Sequence, residues 1–264
     1  MPAVPVRSER DRRRRELSQN YLRGAGAAQF LRAVRLDPAG LCLEVGAGNG
    51  ILTGRLAARC RQLIAYEVDP DAAGQLESRL RDQPNVRVVI GDFLAARPPR
   101  QPFEVVGNVP FGRTAPIVDW CLAARSMTAA TLITQLEYAR KRTGGYGRWS
   151  LLTVSTWPEV QWDLLGTIPR TQFRPVPRVD AGILRLARHP EPLIAPGRLG
   201  AYRRMVQAGF GGAGGSLLAS LRRQYPAAAL PAAFQAAGIG SKTVVAFVSP
   251  AQWVELFRAL ERRA

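Results

Sequence analysis

Residues 107–111 read Gly107-Asn108-Val109-Pro110-Phe111, an amide, a proline and an aromatic ring within five positions. Asn and Pro are poor in strand and helix interiors, so the run marks the end of an element. The Asn108 side-chain oxygen accepts a hydrogen from an exocyclic amine. A backbone carbonyl held beside Pro110 accepts a second, and Phe111 offers a face to a flat ring. Such a clamp suits methylation of a nucleobase nitrogen, which is a weak nucleophile while its lone pair is delocalised into the ring. A tight turn in which Asn108 bonds its own backbone would use the same residues. What precedes the run decides between them.

Sixty-one residues earlier, Gly46-Ala47-Gly48-Asn49-Gly50 follows Leu41-Cys42-Leu43-Glu44-Val45 directly. A glycine-rich turn that leaves a strand and enters a helix is a general nucleotide-binding device, because glycine admits close backbone approach. The spacing is G-x-G-x-G, without the third glycine of the dinucleotide fingerprint, so an adenosine without a pyrophosphate, such as S-adenosylmethionine, fits better. Glu67 ends the next apolar run and is placed to bind both ribose hydroxyls, with Asp69 nearby competing for the role. Asp92, in Gly91-Asp92-Phe93, ends a third strand, where it would accept from the cofactor's adenine amine, with Phe93 against the ring. Asn108 ends a fourth. All four lie at carboxyl ends of successive strands, where open α/β sheets bind ligands.

The elements that must carry these groups follow from periodicity. Helices are expected over 25–36, 51–60, 71–81 and 115–125, alternating with strands at 41–45, 63–68, 86–90, 103–107 and 129–135. Residues 140–148 form a basic, glycine-rich loop. Leu151–Trp157, Val160–Leu165 and Val179–Leu186 read as further strands, with a hairpin at one edge. After the Pro-rich stretch 190–196, helices are expected over 200–207, 217–225, 230–237 and 251–262. Alternating strands and helices imply a doubly wound, Rossmann-like α/β catalytic domain over 17–188. An Arg-rich arm over 1–16 precedes it and a small all-helical, RNA-binding domain over 189–264 follows.

With these residues in order, the chain resembles the ribosomal RNA adenine N6-methyltransferases. The matching motifs are Ser18-Gln19-Asn20-Tyr21-Leu22, Glu44 through Gly50, Glu67, Gly91-Asp92-Phe93, Asn108-Val109-Pro110-Phe111 and Phe173-Arg174-Pro175-Val176-Pro177-Arg178-Val179-Asp180. Arg148-Trp149 and Ala115-Pro116-Ile117-Val118 are similar to the Erm branch, whose members methylate 23S rRNA and block macrolide, lincosamide and streptogramin B binding. The resemblance implies an S-adenosylmethionine-dependent enzyme. Asn20 and the Leu22 backbone would hold the methionine end; Gly46, Gly48 and Asn108 would line the cofactor, with Glu67 on the ribose and Asp92 on the adenine. Asn108 and Pro110 would bind the target amine, and Phe111 with Phe173 would sandwich the flipped-out base. The chain departs from the family at Ala181, where serine is usual, and at Gly211-Gly212-Ala213-Gly214-Gly215, where a basic run is usual.

Composition supports a nucleic-acid partner. The net charge is +17, and the flanks 1–23 and 188–264 carry +4 and +7 of it. A polyanion is the expected partner, RNA or DNA ahead of a membrane surface. Cys42, Cys60 and Cys121 have no zinc spacing and are expected as buried free thiols. The single His189 excludes a histidine triad, and no metal is expected. No apolar run reaches membrane-spanning length, so a cytoplasmic location is expected; a monomer is expected as well. Alternatives are the 16S-directed branch of the same family, a non-catalytic nucleic-acid-binding member of the fold, and a nicotinamide dehydrogenase.

Overall fold

The computed structural model describes residues 20–212 and 215–262. The expected Arg-rich arm, Ser18, Gln19 and positions 213–214 of the glycine-rich run lie outside them. The strands are Tyr21–Leu22 (β1), Leu41–Val45 (β2), Gln62–Glu67 (β3), Val86–Ile90 (β4), Phe103–Asn108 (β5), Met127–Gln135 (β6), Val160–Ile168 (β7), Phe173–Arg174 (β8) and Ala181–Arg188 (β9). The helices are Gly24–Ala33 (α1), Thr53–Ala57 (α2), Pro70–Arg79 (α3), Thr114–Ala123 (α4), Leu136–Arg142 (α5), Leu151–Thr156 (α6), Leu199–Phe210 (α7), Leu217–Leu221 (α8), Leu230–Ala236 (α9) and Pro250–Glu261 (α10).

Seven strands form one sheet in the order β4-β3-β2-β5-β6-β9-β7. The run from β4 to β6 is parallel, and its alternation with α2, α3 and α4 makes the fold Rossmann-like. Every residue of β2 is buried, as expected of a central strand covered on both faces. Chain order reverses between β2 and β5, which opens the crevice at their carboxyl ends. Gly107 permits that pairing. It sits opposite Val45, and a Cβ there would lie 2.5 Å from the Val45 carbonyl oxygen. No larger residue lets the two backbones approach so closely.

Helix ends follow local chemistry. Asp69 accepts from the Asp71 N–H and caps α3, which begins at Pro70. Ser249 and Gln252 form a reciprocal capping box at α10. Helix α2 is only five residues long, shorter than expected for 51–60.

Residues 151–157 differ from the expected strand: Leu151–Thr156 is helical. Its β-branched residues carry little local preference against the helix, and tertiary contacts decide. Ser150 accepts from the Thr153 N–H, and the Val154 carbonyl receives the buried Tyr202 hydroxyl at 2.9 Å. The basic loop also differs. Arg140, Lys141 and Arg142 form the last turn of α5, where cations suit the negative end of the helix dipole.

Contacts divide the chain into two compact units otherwise than at 188/189. The first holds the described residues up to Leu136 together with Leu165–Arg185; the second holds Glu137–Leu164 and the described residues from Leu186 on. The division falls within β7 and β9. Each unit has its own core. Phe30, Leu56, Leu63, Ile133 and Phe173 belong to the first, and Tyr202, Met205, Leu217 and Trp253 to the second. In the second, Gly209 faces the Trp253 ring, and an added Cβ would lie 2.3 Å from it. No helix among the described residues is long and apolar enough to cross a membrane. The three cysteines are buried free thiols.

Candidate active site

Strand register brings the four strand ends together. Val45 pairs with Tyr66 and with Gly107, and Glu67 pairs with Ile90. Both Gly46 and Ala47 then donate backbone N–H bonds to the Tyr66 carbonyl, at 3.0 Å each. These bonds turn the chain away from the sheet. Gly46 and Gly48 complete the turn in the left-handed region, at φ 69° and 55°. Gly48 lies under the Tyr21 ring, where a Cβ would come within 3.1 Å.

The turn borders a cavity of about 340 Å³. Asn20, Leu22, Gly46, Gly48, Glu67, Asp92, Asn108 and Pro110 all line it. Asn20 arrives through a distant pairing: β1 joins β8 with Leu22 opposite Phe173, and the Arg23 N–H donates to the Gln172 carbonyl at 2.7 Å. Asp69, the alternative to Glu67, is occupied as the cap of α3 and is not part of the lining. Tyr21, Val68 and Ile117 also line the cavity and are not among the expected site residues. The signal for Val68 was available, since it follows Glu67 at a strand end; its side chain remains 46% exposed.

Glu67 is almost wholly buried, yet its carboxylate accepts two backbone hydrogens, from Gly48 at 2.7 Å and Asp69 at 2.9 Å. Glu67 therefore ties the glycine turn to the start of α3 as well as facing the cavity.

Asp92 is differently engaged from expectation. Its Oδ1 accepts from the Leu94 N–H at 3.0 Å and its Oδ2 from Arg113 at 2.7 Å. The Leu94 bond first, and then Arg113, hold its pKa below the ordinary value. Phe93 is buried and lies against Trp120 with ring centroids 4.4 Å apart, so little of its face is open.

Asn108 donates through Nδ2 to the Asn20 carbonyl at 2.7 Å. That bond orients the amide and leaves Oδ1 as the acceptor. Phe111 is half-buried, packs on the first core and is not among the residues that line the cavity. Phe173 meets Phe111 edge-on, with centroids 6.4 Å apart and planes at 67°. A ring sandwich needs two open and roughly parallel faces. Phe173 is fully buried in the first core, so it backs Phe111 instead of forming a second wall here. At the family's usual serine position, Ala181 is fully buried, and the preceding Asp180 accepts from the Arg170 N–H at 2.8 Å.

Glu44 lies beneath the turn at 1% exposure, and its Oε2 has no hydrogen-bond partner among the described residues. Burial first, and the neighbouring Glu67 carboxylate next among the raising causes, push its pKa up to about 8. As a neutral acid at pH 7 it adds no second charge beside Glu67. A carboxyl with a raised folded pKa favours the folded state fully below its unfolded pKa, and that contribution is lost as pH rises through the folded value. Glu44→Gln is thus expected to remove a stability loss that wild type shows between about pH 4.5 and 8, on the order of 4 kcal/mol. Urea unfolding of both proteins at pH 5, 6.5 and 8 checks this; parallel pH profiles would contradict it.

A sequence model of the family described as "Ribosomal RNA adenine dimethylase" matches residues 10–262. The chain belongs to this family. It is 57% identical over 252 residues to an rRNA adenine N-6-methyltransferase of Streptomyces fradiae, covering 94% of this chain and 79% of that protein. Against the mycinamicin-resistance protein MyrB of Micromonospora griseorubida it is 33% identical over 246 residues, 93% of this chain and 78% of that protein. The crystal structure of the 23S rRNA methyltransferase ErmE superposes with a TM-score of 0.88 at 48% identity, over 92% of this chain and all of that one. The dimethylase family consists of methyltransferases that use S-adenosylmethionine, and this chain is an enzyme of that kind.

Proposed function

We propose that this chain transfers a methyl group from S-adenosylmethionine to N6 of an adenine in 23S rRNA, and that the modification confers macrolide, lincosamide and streptogramin B resistance. The single observation that carries the reading is the Asn108 amide: its Nδ2 is bound to the Asn20 carbonyl, which leaves Oδ1 as the amide's acceptor, and the residue lines the same cavity as the glycine turn.

The residues of the cavity suit the cofactor. Gly46 and Gly48 present backbone without side chains, Glu67 offers acceptors for two ribose hydroxyls, and Asn20 and the Leu22 backbone border the methionine end. Bound S-adenosylmethionine supplies an electrophilic methyl. Asn108 Oδ1 and the carbonyl near Pro110 accept the target amine's hydrogens, which favours a pyramidal nitrogen with its lone pair directed out of the ring. Phe111 gives the extruded base a face to stack on, offsetting the cost of leaving the helix. Alignment of nitrogen and methyl supplies the rest by proximity. The methylated amine is acidic enough to lose its proton to water, so no strong base is required.

Arg113 competes with the cofactor's adenine amine for Asp92 Oδ2. Arg113→Ala is expected to change stability by less than ~1 kcal/mol, because the pair is 52% and 46% exposed. The same substitution frees Oδ2 and tightens cofactor binding roughly 3–10-fold. Calorimetric titration with S-adenosylmethionine reads the result, and weaker binding by the variant would show Arg113 to be a cofactor ligand.

The function is tested with radiolabelled S-adenosylmethionine and two substrates, protein-free 23S rRNA and immature small subunits. Label on the 23S rRNA, a primer-extension stop at one adenine and macrolide resistance in expressing cells are expected. Label on the small subunits alone would assign the chain to the 16S-directed branch.

A further inference from the structure

The second unit carries an aromatic and cationic surface that methyl transfer leaves unused. Phe247 and Tyr146 are 53% and 51% exposed, and Val244 is 43% exposed. The Arg148 guanidinium carbon lies 5.6 Å from the centroid of the Phe247 ring. These groups come from distant segments joined by the Trp149 N–H, which donates to the Ala246 carbonyl at 2.8 Å.

The surface is built, not incidental. Gly144 is left-handed at φ 73°, and a Cβ there would lie 2.7 Å from the Trp149 ring, so the loop bearing Tyr146 and Arg148 is folded onto that indole. Val245–Phe247 is a 3-10 turn, and the next residue, Val248, is fully buried in the second core. Phe247 is therefore held outward by an anchored backbone. A single exposed apolar residue needs no explanation, but an anchored aromatic under a guanidinium, with Val244 exposed on the same segment, does.

Charge selects the partner. Residues 138–157 contain no Asp or Glu, nor do residues 192–254. Lys242 adds a further exposed cation on the second of these segments. A second copy of this chain, with net charge +17, would bring like charges together. A stacked base with its phosphate satisfies both properties at once, since aromatic and guanidinium planes hold unpaired bases and the cations meet the backbone.

We propose that Phe247, Arg148 and Tyr146 form a stacking site for an unpaired base of the RNA substrate, made of residues other than those of the Asn108 pocket. This inference rests on the reading of the chain as an RNA methyltransferase. It is tested on the full chain with protein-free 23S rRNA as the probe, using Phe247→Ala, Phe247→Trp and Arg148→Ala beside wild type. Phe247→Ala is expected to weaken RNA binding about tenfold, the scale of one base–aromatic stack. It raises the KM for RNA more than it lowers kcat, with the unfolding midpoint and cofactor affinity retained, whereas Phe247→Trp keeps wild-type RNA affinity. Arg148→Ala lowers the slope of log affinity against log salt by about one, which Phe247→Ala does not. Unchanged RNA affinity in Phe247→Ala overturns the proposal, and if sedimentation then shows a wild-type dimer lost in the variant, the surface is a protein contact instead. Failure of wild type to methylate any rRNA would overturn the functional reading separately, because RNA affinity is measured without turnover.

Discussion

Asn108→Ala is expected to lower methyl transfer to 23S rRNA by on the order of 10²–10³-fold, the effect of removing one preorganised polar group from a reacting centre. The loss arises because Oδ1 is the acceptor left at the cavity once Nδ2 is committed to the Asn20 carbonyl. Without it the target amine keeps its planar geometry and its nitrogen its delocalised lone pair. The Asn20 carbonyl loses a donor as well, which costs about 1 kcal/mol of stability. Cofactor affinity falls only slightly, since the glycine turn is held by Tyr66 and Glu67 and not by Asn108. Asn108→Asp separates the two roles: it keeps an acceptor at the cavity but presents a carboxylate to the Asn20 carbonyl. Transfer of radiolabelled methyl under saturating cofactor, beside calorimetric cofactor binding, checks both variants. Comparable kcat in Asn108→Ala would eliminate the clamp.

Glu67→Ala carries the second large effect, and on a different quantity. Its carboxylate receives the N–H groups of Gly48 and Asp69 in a nearly dry site. Hydrogen bonds to a charged group are worth about 1.5–3 kcal/mol each, and their loss leaves two backbone donors unpartnered. We expect a stability loss of about 3 kcal/mol or more and a cofactor affinity at least ~100-fold lower, since the ribose acceptors and the shape of the turn are lost together. Glu67→Gln keeps one acceptor and is expected to fall between wild type and alanine. Thermal unfolding with and without S-adenosylmethionine reads both effects: the cofactor-induced shift present in wild type is absent from Glu67→Ala. A full shift in that variant would place the ribose elsewhere, with Asp69 the next acid to test.

The order of the site was legible in the chain because each of its parts ends a parallel strand. Glu44-Val45-Gly46, Glu67, Asp92 and Asn108 announce themselves by an apolar run followed by a turn or a polar residue, and parallel pairing places such ends along one edge. The strand-to-helix reversal at 151–157 was not legible. Its Leu, Thr and Val residues fit either element, and the choice came from the Ser150 cap and the docking of Tyr202. The second unit's claim on Glu137–Leu164 was hidden for a related reason, since contacts between distant segments leave no mark at a Pro-rich stretch.

Local pattern is enough to specify the periodic alternation that makes a Rossmann-like sheet and the residue types that end its strands, because both depend on neighbours two to four positions away. The tertiary structure alone decided how those residues are used. Asn108 is oriented by a carbonyl 88 positions earlier, Asp92 is engaged by an arginine 21 positions later, and Phe173 is buried by the pairing of β8 with β1. Hydrogen-bond partners and burial are set by packing across the chain, and no local pattern carries them.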